Sequence, residues 1–148
     1  MSTPGAPVGD ATQLWLLWKR VHETLRTAIV SEVTLSSDLS EPELSVLTWL
    51  YESGGRCRQS EIAHGLRWDR TRLSHLLTRM QKRGYIERLT RTDGVEVVLA
   101  DAGHAVVEAA APELERIAQS AIVDRLGEHD THALRSILHT LAEADRRS

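Results

Sequence analysis

The segment from Cys57 to Leu99, CRQSEIAHGLRWDRTRLSHLLTRMQKRGYIERLTRTDGVEVVL, constrains this chain more than any other. It holds a short apolar-periodic stretch, a turn, a second amphipathic stretch rich in Arg, and two short runs flanking Asp93-Gly94. Helical periodicity giving way to a hairpin signal predicts a helix-turn-helix with a β-hairpin wing, a module suited to placing one helix in the DNA major groove. Charge agrees. From Arg56 to Gly94 there are ten Arg or Lys against four Asp or Glu, a net +6, whereas the 148-residue chain is −3 and its remainder therefore −9. A basic module in an acidic frame is what a phosphate-binding surface requires.

The second helix of the module is expected from Asp69, its cap, to about Arg83, with Gly84 as the stop. At ~100° per residue, Leu73, Leu76, Leu77 and Met80 share a narrow arc that must face a core. The opposite arc carries Thr71, Ser74, His75, Thr78 and Lys82, flanked by Arg72 and Arg79, with no acidic residue between Arg70 and Arg83. A solvated basic face is the plainer reading. Its setting within a full helix-turn-helix and wing favours DNA instead. Arg70, Thr71, Arg72, Ser74 and His75 lie near the helix start and are placed to reach base edges, where a bidentate Arg–guanine pair is worth ~1–3 kcal/mol of discrimination. Thr78, Arg79 and Lys82 fit phosphate contacts that set register. At the wing, Arg91 is a candidate for the minor groove or a phosphate, and Arg88 for a further phosphate.

The flanks read as helices. Residues 1–10 are expected to be a disordered leader, without the basic and apolar regions of a signal peptide. A helix from Ala11 to about Val33 carries Leu14, Leu17, Trp18, Val21, Leu25, Ala28 and Ile29 on one stripe, and Thr34 to Leu39 reads as loop. Ser40-Glu41-Pro42-Glu43 is a capping-box start for a helix from Leu44 to Glu52, which Gly54-Gly55 ends. Gln59 to Leu66 is the first helix of the module and Gly65 to Trp68 its turn. Tyr85–Leu89 and Glu96–Leu99 are the expected strands, with the turn at Asp93-Gly94. A long helix from about Asp101 to Arg125 should bend or split at Pro112, and a last helix runs from Thr131 to about Asp145 after a break at Gly127–Asp130. The chain has 41% hydrophobic residues but no Phe, so its core rests on Leu, Val, Ile and Ala and favours helices. The expected fold class is mainly α with a small β-hairpin wing. Residues 11–36 and 101–148 are expected to be dimerisation helices around a DNA-binding domain at 37–100, because the module alone cannot bury their apolar stripes.

LSEPELSVLTWL, SEIAHGLRWDRTRLSHLLTRMQKRGYIER and VVLADAGHAVV, in this order and spacing, resemble the MarR family of bacterial transcription regulators over about Leu14 to Leu141. The resemblance implies a homodimer held by its terminal helices, bound to double-stranded DNA at a pseudo-palindromic operator. It implies a repressor relieved by a small-molecule effector or an oxidant. Two departures stand out. The family's wing usually carries Asp-x-Arg with a longer tip, whereas no Arg follows Asp93 here and Glu96 adds a negative charge, leaving Arg91 a partial substitute for minor-groove contact. Ala100 replaces the family's usual Thr helix cap, which shifts the capping expectation to Asp101.

Trp15, Trp18 and His22 on the first helix, with Trp49 on the next, are candidates for an aromatic-lined ligand crevice, although tryptophans that merely fill a core without Phe are the simpler reading. Arg56 and Arg58 flank Cys57 and would lower a thiol pKa, but a lone, partly buried cysteine with no second thiol fits better. One cysteine excludes an internal disulfide framework and suits a reducing cytoplasm. His129, His132 and His139 lack a completing carboxylate or thiolate at metal-ligand spacing, so no metal or other cofactor is expected. Enzyme signatures are missing: there is no G-x-S-x-G, phosphate loop, H-E-x-x-H or dinucleotide turn. The longest apolar run, AVVEAAA, is too short to span a bilayer. The short wing also admits a different reading, a ligand-binding or protein-interaction module on a degenerate winged helix with weak DNA binding.

Overall fold

A computed structural model describes residues 8–145. Residues 1–7 of the expected leader lie outside them, and Asp10, its last residue, opens the first helix. The elements run α1 (Asp10–Ser36), α2 (Glu41–Glu52), β1 (Arg56–Arg58), α3 (Gln59–Leu66), α4 (Arg70–Lys82), β2 (Ile86–Arg91), β3 (Gly94–Leu99), α5 (Asp101–Ala118), a π-helical turn (Gln119–Val123) and α6 (Asp124–Asp145). The fold is mostly helical with a small antiparallel sheet of order β1-β3-β2. The chain divides into two units, Glu32–Glu115 and the flanks Met1–Ser31 with Arg116–Ser148.

In the central unit, α1 continues past Val33 through residues read as loop, and the Ser36 and Ser37 hydroxyls donate to the Val33 carbonyl at 3.1 and 2.7 Å. Hydroxyl-to-carbonyl bonds of this kind finish a helix without apolar periodicity, so the extra turn leaves no pattern in the sequence. The capping box forms as expected: the Glu43 amide donates to Ser40 Oγ at 3.3 Å and the Ser40 amide to Glu43 Oε1 at 3.2 Å. Glu43 is buried, and its other carboxylate oxygen takes a 2.7 Å bond from Arg83 Nη1. Arg83 also donates to the Asp38 carbonyl at 3.1 Å and lies over the Tyr85 ring at 4.7 Å. One guanidinium thus joins the start of α2 to the end of α4.

Strand β1 was not expected. Arg56, Cys57 and Arg58 pair with Val98, Val97 and Glu96 of β3, and the Leu99 amide donates to the Gly55 carbonyl at 2.8 Å. Three residues, two of them Arg, carry no readable alternation. The hairpin is longer than its apolar content indicates: β2 and β3 pair from Ile86↔Leu99 to Arg91↔Gly94. The turn therefore falls at Thr92-Asp93, one residue earlier than expected, with Gly94 at φ 137°. Near the tip both faces meet solvent, so backbone pairing extends through polar residues.

The core of this unit is Val46, Leu47, Leu50, Ile62, Leu73, Leu77, Met80, Ile86 and Val97, all fully buried. Two glycines mark close approaches. A Cβ on Gly65 would collide with the Trp49 ring, and one on Gly103 with the Tyr85 carbonyl and Leu99. Asp101 does not precede α5 as a cap. It is the first helical residue, and the Ala100 carbonyl already accepts from the His104 amide at 2.9 Å. Pro112 does not split α5, which runs on to Ala118. Pro112 and Glu108 are both exposed, so the Glu108 carbonyl that loses its helical partner lies on the solvated side.

In the flanking unit, the helical register widens at Gln119–Val123. Gly127 breaks α6 with φ 80° and ψ 172°, where the polar break was expected, and the helix resumes directly after it. Much apolar surface is left open here: Leu14 is 68% exposed, Trp15 58%, Leu17 52%, Ile137 54% and Leu141 61%. No helix among the described residues is long and apolar enough to cross a membrane.

Candidate nucleic-acid interface

Helix α4 is capped by Asp69, whose carboxylate accepts from the Arg72 amide at 3.0 Å. The turn before it is tightened by Arg67 at φ 54°, with the Trp68 amide donating to the Ala63 carbonyl at 2.9 Å. Leu73, Leu76, Leu77 and Met80 are buried, which turns the opposite arc outward. Arg70, Thr71, Arg72, His75, Arg79 and Lys82 are exposed, and Ser74 is half-buried. The Arg72 guanidinium lies 5.0 Å over the Trp68 ring, a stacking contact that limits its rotamers before any ligand arrives.

Thr78 and Arg88 were expected at phosphates. In the free chain they meet each other. Arg88 Nη2 donates to Thr78 Oγ1 at 2.8 Å and Arg88 Nε to Gln81 Oε1 at 3.0 Å, while the Thr78 hydroxyl donates to the Ser74 carbonyl at 2.9 Å. Sequence spacing gave no sign of this brace, because the chain reverses between α4 and β2 and neither helical nor strand periodicity spans that turn. It fastens the wing to the exposed helix and draws Arg88 inward.

The wing's remaining cations meet acids. Arg91 Nε donates to Glu96 Oε2 at 3.1 Å, Arg56 Nη1 lies 3.0 Å from Glu96 Oε1, and Arg58 pairs with Asp93. Arg56 and Arg58 were read only as neighbours of Cys57. Their cross-strand role depends on β1, the element the sequence did not disclose. With both arginines engaged, Cys57 is left to other influences. Burial, and then the hydrogen bond from its Sγ to Glu61 Oε2 at 3.2 Å, raise the thiol pKa above its ordinary value.

Two of the four aromatic-crevice candidates line one cavity of the flanking unit. Trp18 and His22 line a cavity of about 440 Å³ with Val21, Leu25, Leu134 and Leu138. Trp15 is not among its lining residues and carries Lys19 Nζ at 5.5 Å from its ring. Trp49 is held in the central unit, with its ring over Gly65. Its spacing on α2 indicated a face, not the neighbour that face meets. Among the described residues no three His, Cys, Asp or Glu side chains come together as a metal site.

The second helix of the helix-turn-helix thus turns an acid-free face outward beside a three-stranded sheet. The MarR family model matches residues 39–93. The chain carries a MarR family domain. Solved MarR family structures extend the likeness beyond that span. AbsC, a MarR family transcriptional regulator from Streptomyces coelicolor, is 25% identical, with 97% of this chain and 99% of that one covered at a TM-score of 0.80. Sco3205, a second such regulator from the same organism, solved in complex with DNA, is 24% identical, with 94% and 93% covered at a TM-score of 0.79. Bordetella bronchiseptica BpsR, whose DNA binding is regulated by 6-hydroxynicotinic acid, is 24% identical, with 93% and 99% covered at a TM-score of 0.72. A comparison with curated proteins found no match. Within the MarR family domain lie all of α2, α3 and α4, β2, and Arg91 at the wing.

Proposed function

We propose that this chain is a sequence-specific, homodimeric transcriptional regulator that represses from a pseudo-palindromic operator and is released by a small, amphipathic ligand. The observation that carries the DNA reading is the outward face of α4, whose reverse is fully buried and which holds no acid between Arg70 and Arg83. Arg70, Thr71, Arg72, Ser74 and His75 read bases in the major groove, and Arg79 and Lys82, with Thr78 beside them, meet phosphates. The DNA-bound state of Sco3205 supports this assignment.

The exposed apolar side chains of α1 and α6 support pairing with a second copy, which makes residues 11–36 and 101–148 dimerisation segments around a reading domain at 37–100. Two-fold pairing sets two α4 helices about one DNA turn apart, ~34–36 Å. The ligand-controlled binding of BpsR supports an effector, for which the Trp18–His22 cavity is the candidate site.

Selection from a pool of random duplexes at low salt tests this reading. The expected outcome is enrichment of a pseudo-palindrome, bound less tightly as salt rises. No enrichment would favour the alternative, a ligand-binding or protein-interaction module, to which the acid-paired arginines of the wing lend support.

A further inference from the structure

The wing of this protein is electrically closed. Its hairpin holds Arg88 and Arg91 against Glu87, Asp93 and Glu96, and Arg88 is drawn onto α4. Glu96 occupies the central strand β3, with Arg58 of β1 and Leu89 of β2 as its cross-strand neighbours. Its two carboxylate oxygens are divided between the flanking strands: Oε2 accepts from Arg91 of β2, and Oε1 meets Arg56 of β1 as an ion pair without the alignment of a hydrogen bond. The Glu96 side chain is 20% exposed, against 64% for Arg56 and 49% for Arg91, so the two cations cover the acid.

We propose that Glu96 is an affinity-limiting residue: in the free protein its carboxylate holds Arg56 and Arg91 in the place of DNA phosphate. The proposal rests on the DNA reading above and deepens it. A guanidinium binds carboxylate and phosphate with the same fork of N–H donors, so a phosphate must displace Glu96 to gain either arginine. Glu96 thus keeps both arginines from the DNA backbone and adds its own repulsion, since like charges a few ångströms apart repel. Pairs as exposed as these are weak. Glu96 therefore lowers affinity without abolishing binding, and base reading stays concentrated on α4. Arg56, outside the helix-turn-helix proper, becomes a latent phosphate ligand.

The test is the affinity and salt dependence of the full-length protein on its selected duplex. Glu96→Gln keeps the side chain's size and removes its charge. It should tighten binding about threefold to tenfold and steepen the plot of log affinity against log salt by about one unit, the signature of one more phosphate contact. In the presence of Glu96, Arg56→Ala and Arg91→Ala should each change affinity less than about twofold, and E96Q/R56A/R91A should return to the wild-type value. Glu96→Thr, a replacement suited to a strand, should show the same gain should the Gln variant fold poorly. Binding by E96Q no tighter than wild type would overturn the proposal. So would a gain that survives in the triple variant, since charge removal alone would then explain it. Failure of the wild-type protein to bind any duplex is a separate result that overturns the DNA reading itself.

Discussion

The Cys57 thiol sits between two arginines in sequence, the arrangement that lowers a thiol pKa, yet both guanidinium groups are turned to Glu96 and Asp93. Beside Sγ, partial burial and then the Glu61 carboxylate favour the neutral thiol and outweigh the opposing Trp49 side chain and Arg58 backbone. The sign follows directly. A raised pKa leaves less thiolate at neutral pH than a free cysteine holds, and reactivity grows only as the solution becomes alkaline. Iodoacetamide at pH 7.5 should modify Cys57 more slowly in the folded protein than in urea, and Glu61→Gln should accelerate the folded-state reaction. A folded-state rate equal to or above the unfolded one would contradict this assignment. Arg72 illustrates the opposite case: its place over the Trp68 ring leaves the guanidinium exposed and oriented. At this scale, sequence neighbours were a poor guide to the partners of Arg56 and Arg58, which lie on β3 and in the hairpin turn.

The packing of α2 against α4 depends on Glu43 and Arg83, which joins a capping box to the far end of the exposed helix. Removing the cation leaves a buried carboxylate with only the Ser40 amide to hold it. Arg83→Met should cost about 1–3 kcal/mol in urea unfolding, since a buried charge is left unpaired while its partner was itself partly exposed. Glu43→Gln in the same background should recover part of that loss. A change under about 0.5 kcal/mol, the level of an ordinary surface substitution, would show that the pair contributes nothing. Local signals made these elements legible: the Ser40–Glu43 box, the Asp69 cap and the arc from Leu73 to Met80 each involve residues within a few turns of one another. Strand β1 and the Trp49–Gly65 contact were not legible, because each is decided by a partner distant in sequence, and the Arg88 brace was not, because the turn between α4 and β2 sets it and no periodicity records that turn. Pro112 does not split α5 for a different reason: the Glu108 carbonyl that loses its partner is on the solvated side, and the rest of the helix carries through.

For the whole molecule, the exposed apolar side chains of α1 and α6 leave apolar surface in water in a single chain. A second copy would cover it. Sedimentation at micromolar concentration should therefore find a dimer, and Leu141→Glu, at a 61% exposed position, should release monomers of unchanged helix content. A wild-type monomer under those conditions would contradict the pairing. In the proposed dimer, two reading helices would turn modest half-site binding into operator recognition.

The central claim is that the acid-free side of α4 enters the duplex. Fluorescence anisotropy on the selected duplex, comparing wild type with Arg72→Ala and Arg79→Ala, tests it most directly. Each variant is expected to bind at least about tenfold more weakly, with a melting temperature within a few degrees of wild type, because both side chains are exposed and neither supports the core. Arg79→Ala should also flatten the salt dependence, as loss of a phosphate contact does. Unchanged affinity in both variants, with folding intact, would place the DNA-reading surface elsewhere or show that there is none.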